Sequence, residues 1–218
     1  MNYSERLNRV IPGGAHTYSR GDDQHPSNAP PILTGGKGSR VWSPDGREFL
    51  DYGMALRAVS IGYAEPEINQ AAIRGLELGN SLTRASMIEL EAAELLVSLI
   101  DSVDMVKFTK NGSTATSAAV KLARAFTGRD LVARCAQHPF FSFDDWFIGS
   151  TPITKGIPAD TIRQTKQFNF NDIASLEALI QAHPDQFACV ILEPAATECP
   201  AVGTSTGCCG QAICTRNF

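Results

Sequence analysis

Residues Met105–Asp130, MVKFTKNGSTATSAAVKLARAFTGRD, decide the fold. Val106 and Phe108, following the polar break Asp101-Ser102, have the β-branched and aromatic character of a strand. Lys110 to Thr114 reads as a polar turn. Ala115, Ala118, Ala119, Leu122, Ala123 and Phe126 then recur with the 3.6-residue period and mark one face of an amphipathic helix. Gly128 is placed to stop that helix. Strand, turn and helix in this order form the repeating unit of an α/β domain.

The turn has two readings. A helix N-terminus carries unpaired N–H groups and the positive end of the helix dipole. Gly112 allows close backbone approach, and the Ser113 and Thr114 hydroxyls add donors, which makes the turn a phosphate cradle. The same residues also make an ordinary N-cap. Local chemistry leaves both open. There is no G-x-x-x-x-G-K-[ST] and no G-x-G-x-x-G following a strand, so the two sharper phosphate motifs are excluded. Asn111-Gly112-Ser113 fits a glycosylation sequon, which has no consequence without a secretory signal.

Working outward, strands and helices alternate on the C-terminal side. Leu131–Cys135 and the apolar run Cys189–Leu192 read as strands, Ile162–Thr165 as a third, and Asp172–Ala182 as a helix. The strands around Val106, Val132 and Val190 then form a mostly parallel, buried sheet. Glu193-Pro194 ends one of these strands, and in open α/β sheets ligands gather beyond strand C-termini. The residues past Pro200 show neither strand alternation nor a helical stripe.

Towards the N-terminus the chain is less regular. Residues 3–10 read as a short helix, and Pro12 to Gly21 is too rich in turn formers for regular structure. Arg40-Val41-Trp42 and Glu48-Phe49-Leu50 flank Pro44-Asp45-Gly46 as a hairpin. Pro66–Leu78 opens with proline as a helix. Ser86-Met87-Ile88-Glu89 is a capping box ahead of another.

The 218 residues carry a net charge of −4, which argues against a nucleic-acid surface or a polybasic membrane surface. No apolar run approaches the ~20 residues needed to span a bilayer. The start, MNYSERLNRV, lacks an apolar signal core, so a cytoplasmic location is expected. Of six cysteines, Cys135 and Cys189 fall in apolar runs, whereas Cys199, Cys208, Cys209 and Cys214 crowd the C-terminal end and read as loop. No C-x-x-C pair is present, so no zinc site is expected.

Several stretches together resemble one family. They are PGGAHTYSRG, GKGSRVWSPDGREFLDYGMA, IGYAEPEI, NGSTATSAAVKLARAFTGRD, DDWFIG and ILEPA. In this order and at these intervals they resemble the N-terminal half of class III, fold-type I pyridoxal-phosphate enzymes. Within that class the chain is most similar to glutamate-1-semialdehyde 2,1-aminomutase and its aminotransferase relatives.

The resemblance implies that Gly112 and Ser113 hold the cofactor phosphate, with Phe140 stacking on the pyridine ring. The family usually has Tyr-His where this chain has Phe140-Phe141, which keeps an aromatic face and gives up the histidine. Glu193 matches the Glu-Pro strand end near the cofactor. Arg20 matches an arginine that grips the substrate carboxylate, as guanidinium geometry suits. Thr114 stands where a glutamate is common.

The resemblance further implies an N-terminal segment over residues 1–55, part of the family's small domain, and an incomplete cofactor-binding large domain over 56–218. Family members continue to an aspartate facing the pyridine nitrogen and to the Schiff-base lysine. Lys37, Lys107, Lys110, Lys121, Lys155 and Lys166 do not fall on that lysine motif, so no catalytic lysine is assigned. The implied activity is an aminotransferase or aminomutase acting on an amino acid or amino-aldehyde, homodimeric at full length. The alternatives are a catalytically inactive fragment that binds phosphate or a partner subunit, and an unrelated dinucleotide-binding domain, which the missing glycine fingerprint disfavours.

Overall fold

A computed structural model of the chain describes residues 2–193, together with the backbone of 212–214. The chain divides into two compact units, Met1–Leu90 and Glu91–Phe218.

The first unit opens with helix α1 (Tyr3–Val10), whose N-terminus is closed by a reciprocal capping box between Asn2 and Glu5. The turn-rich stretch that follows forms three short 3₁₀ turns between Pro12 and Gln24. Strands β1 (Gly35–Lys37), β2 (Arg40–Trp42) and β3 (Glu48–Leu50) form an antiparallel meander, which extends the expected hairpin by one strand. Tyr63 locks onto its edge through paired backbone hydrogen bonds with Gly38. The Tyr63 ring lies so close to Gly36 that a Cβ there would sit 2.7 Å from the ring carbon Cγ. Between them runs a left-handed turn with positive φ at Met54, Ala55, Leu56 and Arg57. L-residues adopt that conformation at a cost. Asp51 offsets it by accepting hydrogen bonds from the Gly53 and Met54 amides and from the Tyr63 hydroxyl. Helix α2 (Pro66–Glu77) follows. Ser86 and Glu89 make the expected capping box of α3 (Met87–Leu99), which spans the division between the units.

The second unit is α/β. Helix α4 (Gly112–Thr127) leads to strand β4 (Leu131–Cys135). Helices α5 (Asp145–Ile148) and α6 (Ala159–Gln164) precede β5 (Thr165–Phe168), and α7 (Ile173–Ala182) precedes β6 (Phe187–Leu192). β5, β4 and β6 are parallel, with β4 in the middle. On one face of the sheet, Val120 and Ala123 of α4 pack with Val132, Phe141, Trp146, Phe147, Cys189 and Ile191. On the other, Leu176, Leu179 and Ile180 of α7 cover Ala133, Phe168, Phe187 and Val190.

Four expectations need correction. Met105–Thr109 forms no strand: a strand exists through its hydrogen-bond ladder, and no described strand runs beside this segment. The strand expected at Ile162–Thr165 begins only at Thr165, because Ile162 donates to the Pro158 carbonyl inside α6. Beyond Pro200 a short strand does form, β7 (Ala212–Cys214), antiparallel to β6. The open edge of β6 offers unpaired backbone groups, and backbone pairing needs no side-chain alternation. That places the backbone of Cys214 at a strand end, while Cys199, Cys208 and Cys209 lie outside the described residues.

The fourth correction concerns the face of α4. The buried positions are Thr116, Ser117, Val120 and Ala123, so the helix is turned from the expected stripe. Leu122 and Phe126 point outward, 70% and 77% exposed. Hydrogen bonding explains the choice. Thr116 Oγ1 donates to the Phe141 carbonyl at 2.8 Å, and Ser117 Oγ meets both Ser142 Oγ and Trp146 Nε1 at 2.9 Å. Satisfied hydroxyls bury readily, and here they override the apolar pattern.

Candidate active site

At the N-terminus of α4 the structure shows the cap, one of the two readings of this turn. Asn111 is the N-cap, and its Oδ1 accepts from the Thr114 amide at 2.9 Å and from the Thr114 hydroxyl at 3.1 Å. That bond takes up the third amide of the helix. The amides of Gly112 and Ser113 find no acceptor among the described residues. A 16-residue helix therefore ends in a cap and, beside it, two unused donors at the positive end of its dipole. The space is open as well: a Cβ on Gly112 would meet nothing within 4 Å.

The loop leaving β4 is tied to this terminus. Besides the Thr116 and Ser117 bonds, Ser142 Oγ donates to the Ser113 carbonyl at 3.4 Å and receives the Asp144 amide at 3.1 Å. Phe141 is thereby buried, and its neighbour Phe140 stands 53% exposed with its ring edge-on to Phe147. One residue of the pair is core, and the other presents an aromatic face.

Glu193 directly follows β6, and its amide donates to Nδ1 of His138 at 2.9 Å, which joins the C-terminal ends of β6 and β4. His138 is 2% exposed and packs between the rings of Phe141 and Phe170. Sequence reasoning missed this histidine; its position three residues past the end of β4 was the available signal. Burial is the main cause that pushes the imidazole pKa down. The Glu193 carboxylate opposes that shift, and the Arg134 cation reinforces it. Arg134 itself is 4% exposed, with its guanidinium donating to Ser150 Oγ, Ser150 O, Cys135 O and Ala136 O and resting on the Phe147 ring.

Gly112, Ser113, Phe140 and Glu193 thus share the C-terminal edge of one parallel sheet and the helix terminus beside it. Arg20 belongs to the first unit, at the end of the Tyr18–Arg20 turn, exposed. Cys189 is buried, and burial pushes its thiol up to about 11, so it offers no nucleophile. Among the described residues no three His, Cys, Asp or Glu side chains group as metal ligands. No described helix is long and apolar enough to cross a membrane.

Comparison with known proteins settles the family. The sequence profile described as aminotransferase class-III matches residues 22–208. The chain belongs to the class-III aminotransferases. It is 33% identical over 196 residues to the glutamate-1-semialdehyde 2,1-aminomutase of Methanothermobacter thermautotrophicus, covering 87% of this chain and 46% of that protein. An aminopentol aminotransferase of Sphingopyxis macrogoltabida is 35% identical over 190 residues, covering 87% of this chain and 44% of the relative. Among solved structures, the FumI protein of Sphingopyxis sp. MTA144, in a pyridoxal-phosphate form, superposes with a TM-score of 0.78 at 34% identity, covering 86% and 44%. The chain therefore spans somewhat under half the length of the relatives it matches, and its second unit is the fold-type I sheet of this family.

Proposed function

We propose that this chain supplies the phosphate anchor and ring-stacking face of a pyridoxal-phosphate-dependent aminotransferase or aminomutase acting on an amino acid or amino-aldehyde. The observation that carries the proposal is the pair of amides at Gly112 and Ser113, which have no acceptor among the described residues and lie beside an open space at the edge of the parallel sheet. The residues fit the cofactor: two amides for its phosphate, the exposed Phe140 ring for its pyridine face, and Glu193 at the adjoining strand end. Arg20 is assigned to the substrate carboxylate. When bound, the cofactor supplies an electron-withdrawing ring that stabilises negative charge at the substrate carbon. The chain's own contribution is to bind and orient. The helix dipole fixes the phosphate, the Thr116–Phe141 and Ser117–Ser142 bonds hold the aromatic loop, and the Glu193–His138 bond sets the strand end. A cytoplasmic homodimer and a family-type division near residue 55 belong to the same reading and rest on the resemblance.

Equilibrium titration with pyridoxal phosphate tests the anchor. Gly112→Asp places a negative charge at the anion site and should weaken binding several-fold or more. Gly112→Ala, which meets no protein atom, should fold normally. Unchanged affinity in Gly112→Asp would remove the proposal.

A further inference from the structure

Among the described residues, His138 is the buried side chain whose hydrogen bonding is left incomplete. Its Nδ1 accepts the Glu193 amide, so in the neutral ring the proton resides on Nε2. Nε2 is buried and has no partner among the described residues. A buried N–H without an acceptor is rare in native proteins and calls for an explanation. The neutral tautomer is well defended. The ring is enclosed by Phe141 and Phe170, burial disfavours its charged form, and Arg134 is a nearby fixed cation. Glu193 is the opposing charge, on the strand end packed beside it. The imidazole is thus oriented by one strand end and held as a donor at the other nitrogen.

We propose that His138 is a positioning residue that donates its Nε2 proton to an anionic oxygen of the ligand bound at the edge of this sheet. The assignment rests on the proposed cofactor reading. The oxygen belongs either to the phosphate group or to the rest of pyridoxal phosphate. The donor itself is a built feature: the amide of Glu193 is spent on selecting the tautomer, and two aromatic rings fix the plane.

Side-chain ¹H–¹⁵N correlation spectra of the full chain read the nitrogen directly. The free protein should show His138 as the Nε2–H tautomer. Saturating pyridoxal phosphate should move that proton downfield and raise the His138 pKa, since a negative oxygen favours the charged ring. Inorganic phosphate at saturation distinguishes the sources: the same shift places the acceptor on phosphate, and no shift places it elsewhere on the cofactor. His138→Phe should weaken pyridoxal phosphate by about tenfold, the equivalent of one hydrogen bond, whereas His138→Gln, which keeps a donor nitrogen, should recover most of it. If the ligand shifts the Gly112 amide but leaves the Nε2 proton unmoved, His138 is not the donor and the phosphate anchor stands. If neither responds, both readings fall together.

Discussion

Arg134 brings a full positive charge into the interior with no carboxylate among its described partners. Its pKa is lowered by burial, yet guanidinium stays charged at any ordinary pH. Four acceptors and the Phe147 face take the place of a counter-ion, and two of the acceptors belong to Ser150, just beyond α5. Arg134→Ala would strand these carbonyls and open a void, so a loss of about 3 kcal/mol in urea unfolding is expected. Arg134→Lys should recover only part of it, since an ammonium cannot reproduce the planar fork.

At the same scale, the Asp51–Tyr63 bond makes the first unit sensitive to pH. The Tyr63 hydroxyl, then the Gly53 and Met54 amides, hold the Asp51 carboxyl below its usual range, while burial pulls the other way. The same bond holds Tyr63 above the usual 10.0. A lowered acid contributes stability that is complete above 3.8 and fades as pH falls through its folded value. A raised phenol contributes below 10.0 and fades as pH rises through its folded value. Thermal melting across pH should therefore show losses at both extremes, and Tyr63→Phe should shrink both.

Among the elements, α4 is held by its cap and by hydroxyls as much as by apolar packing. Asn111→Ala removes the acceptor for the Thr114 amide and should cost about 1 kcal/mol, read as faster amide exchange in the first turns of α4. The elements that were legible in sequence are those whose signal is local. Ser86 and Glu89 specify a capping box within four residues. Cys189–Leu192 is apolar enough to be a central strand anywhere. Asp172 caps α7 by accepting from the Ser175 amide. Elements whose state depends on distant partners were not legible. Val106 and Phe108 have strand composition, but pairing decides strands. Ala212–Cys214 lacks strand composition and pairs with β6 all the same. The α4 stripe was visible in the periodicity, but the partners that bury Thr116 and Ser117 lie 25 residues or more along the chain. His138 shows the same limit at the site: its meaning comes from Glu193, 55 residues away.

For the whole molecule, the consequence of that rotation is an uncovered apolar face. Leu122 and Phe126, one turn apart on α4, are both exposed. Apolar faces of this kind favour self-association. Light scattering should show a mass that rises with protein concentration. Leu122→Glu with Phe126→Glu should reduce the rise without lowering the melting temperature, since neither side chain is part of the core. A monodisperse monomer at all concentrations would contradict the expectation.

We propose that the first two amides of α4 bind the phosphate of pyridoxal phosphate, and their own resonances report on it. In a backbone amide titration, Gly112 and Ser113 should show large, saturable downfield shifts with pyridoxal phosphate. Inorganic phosphate should shift the same two, and Thr114, already bonded to Asn111, should move less. Binding that saturates while Gly112 and Ser113 stay in place would contradict the account.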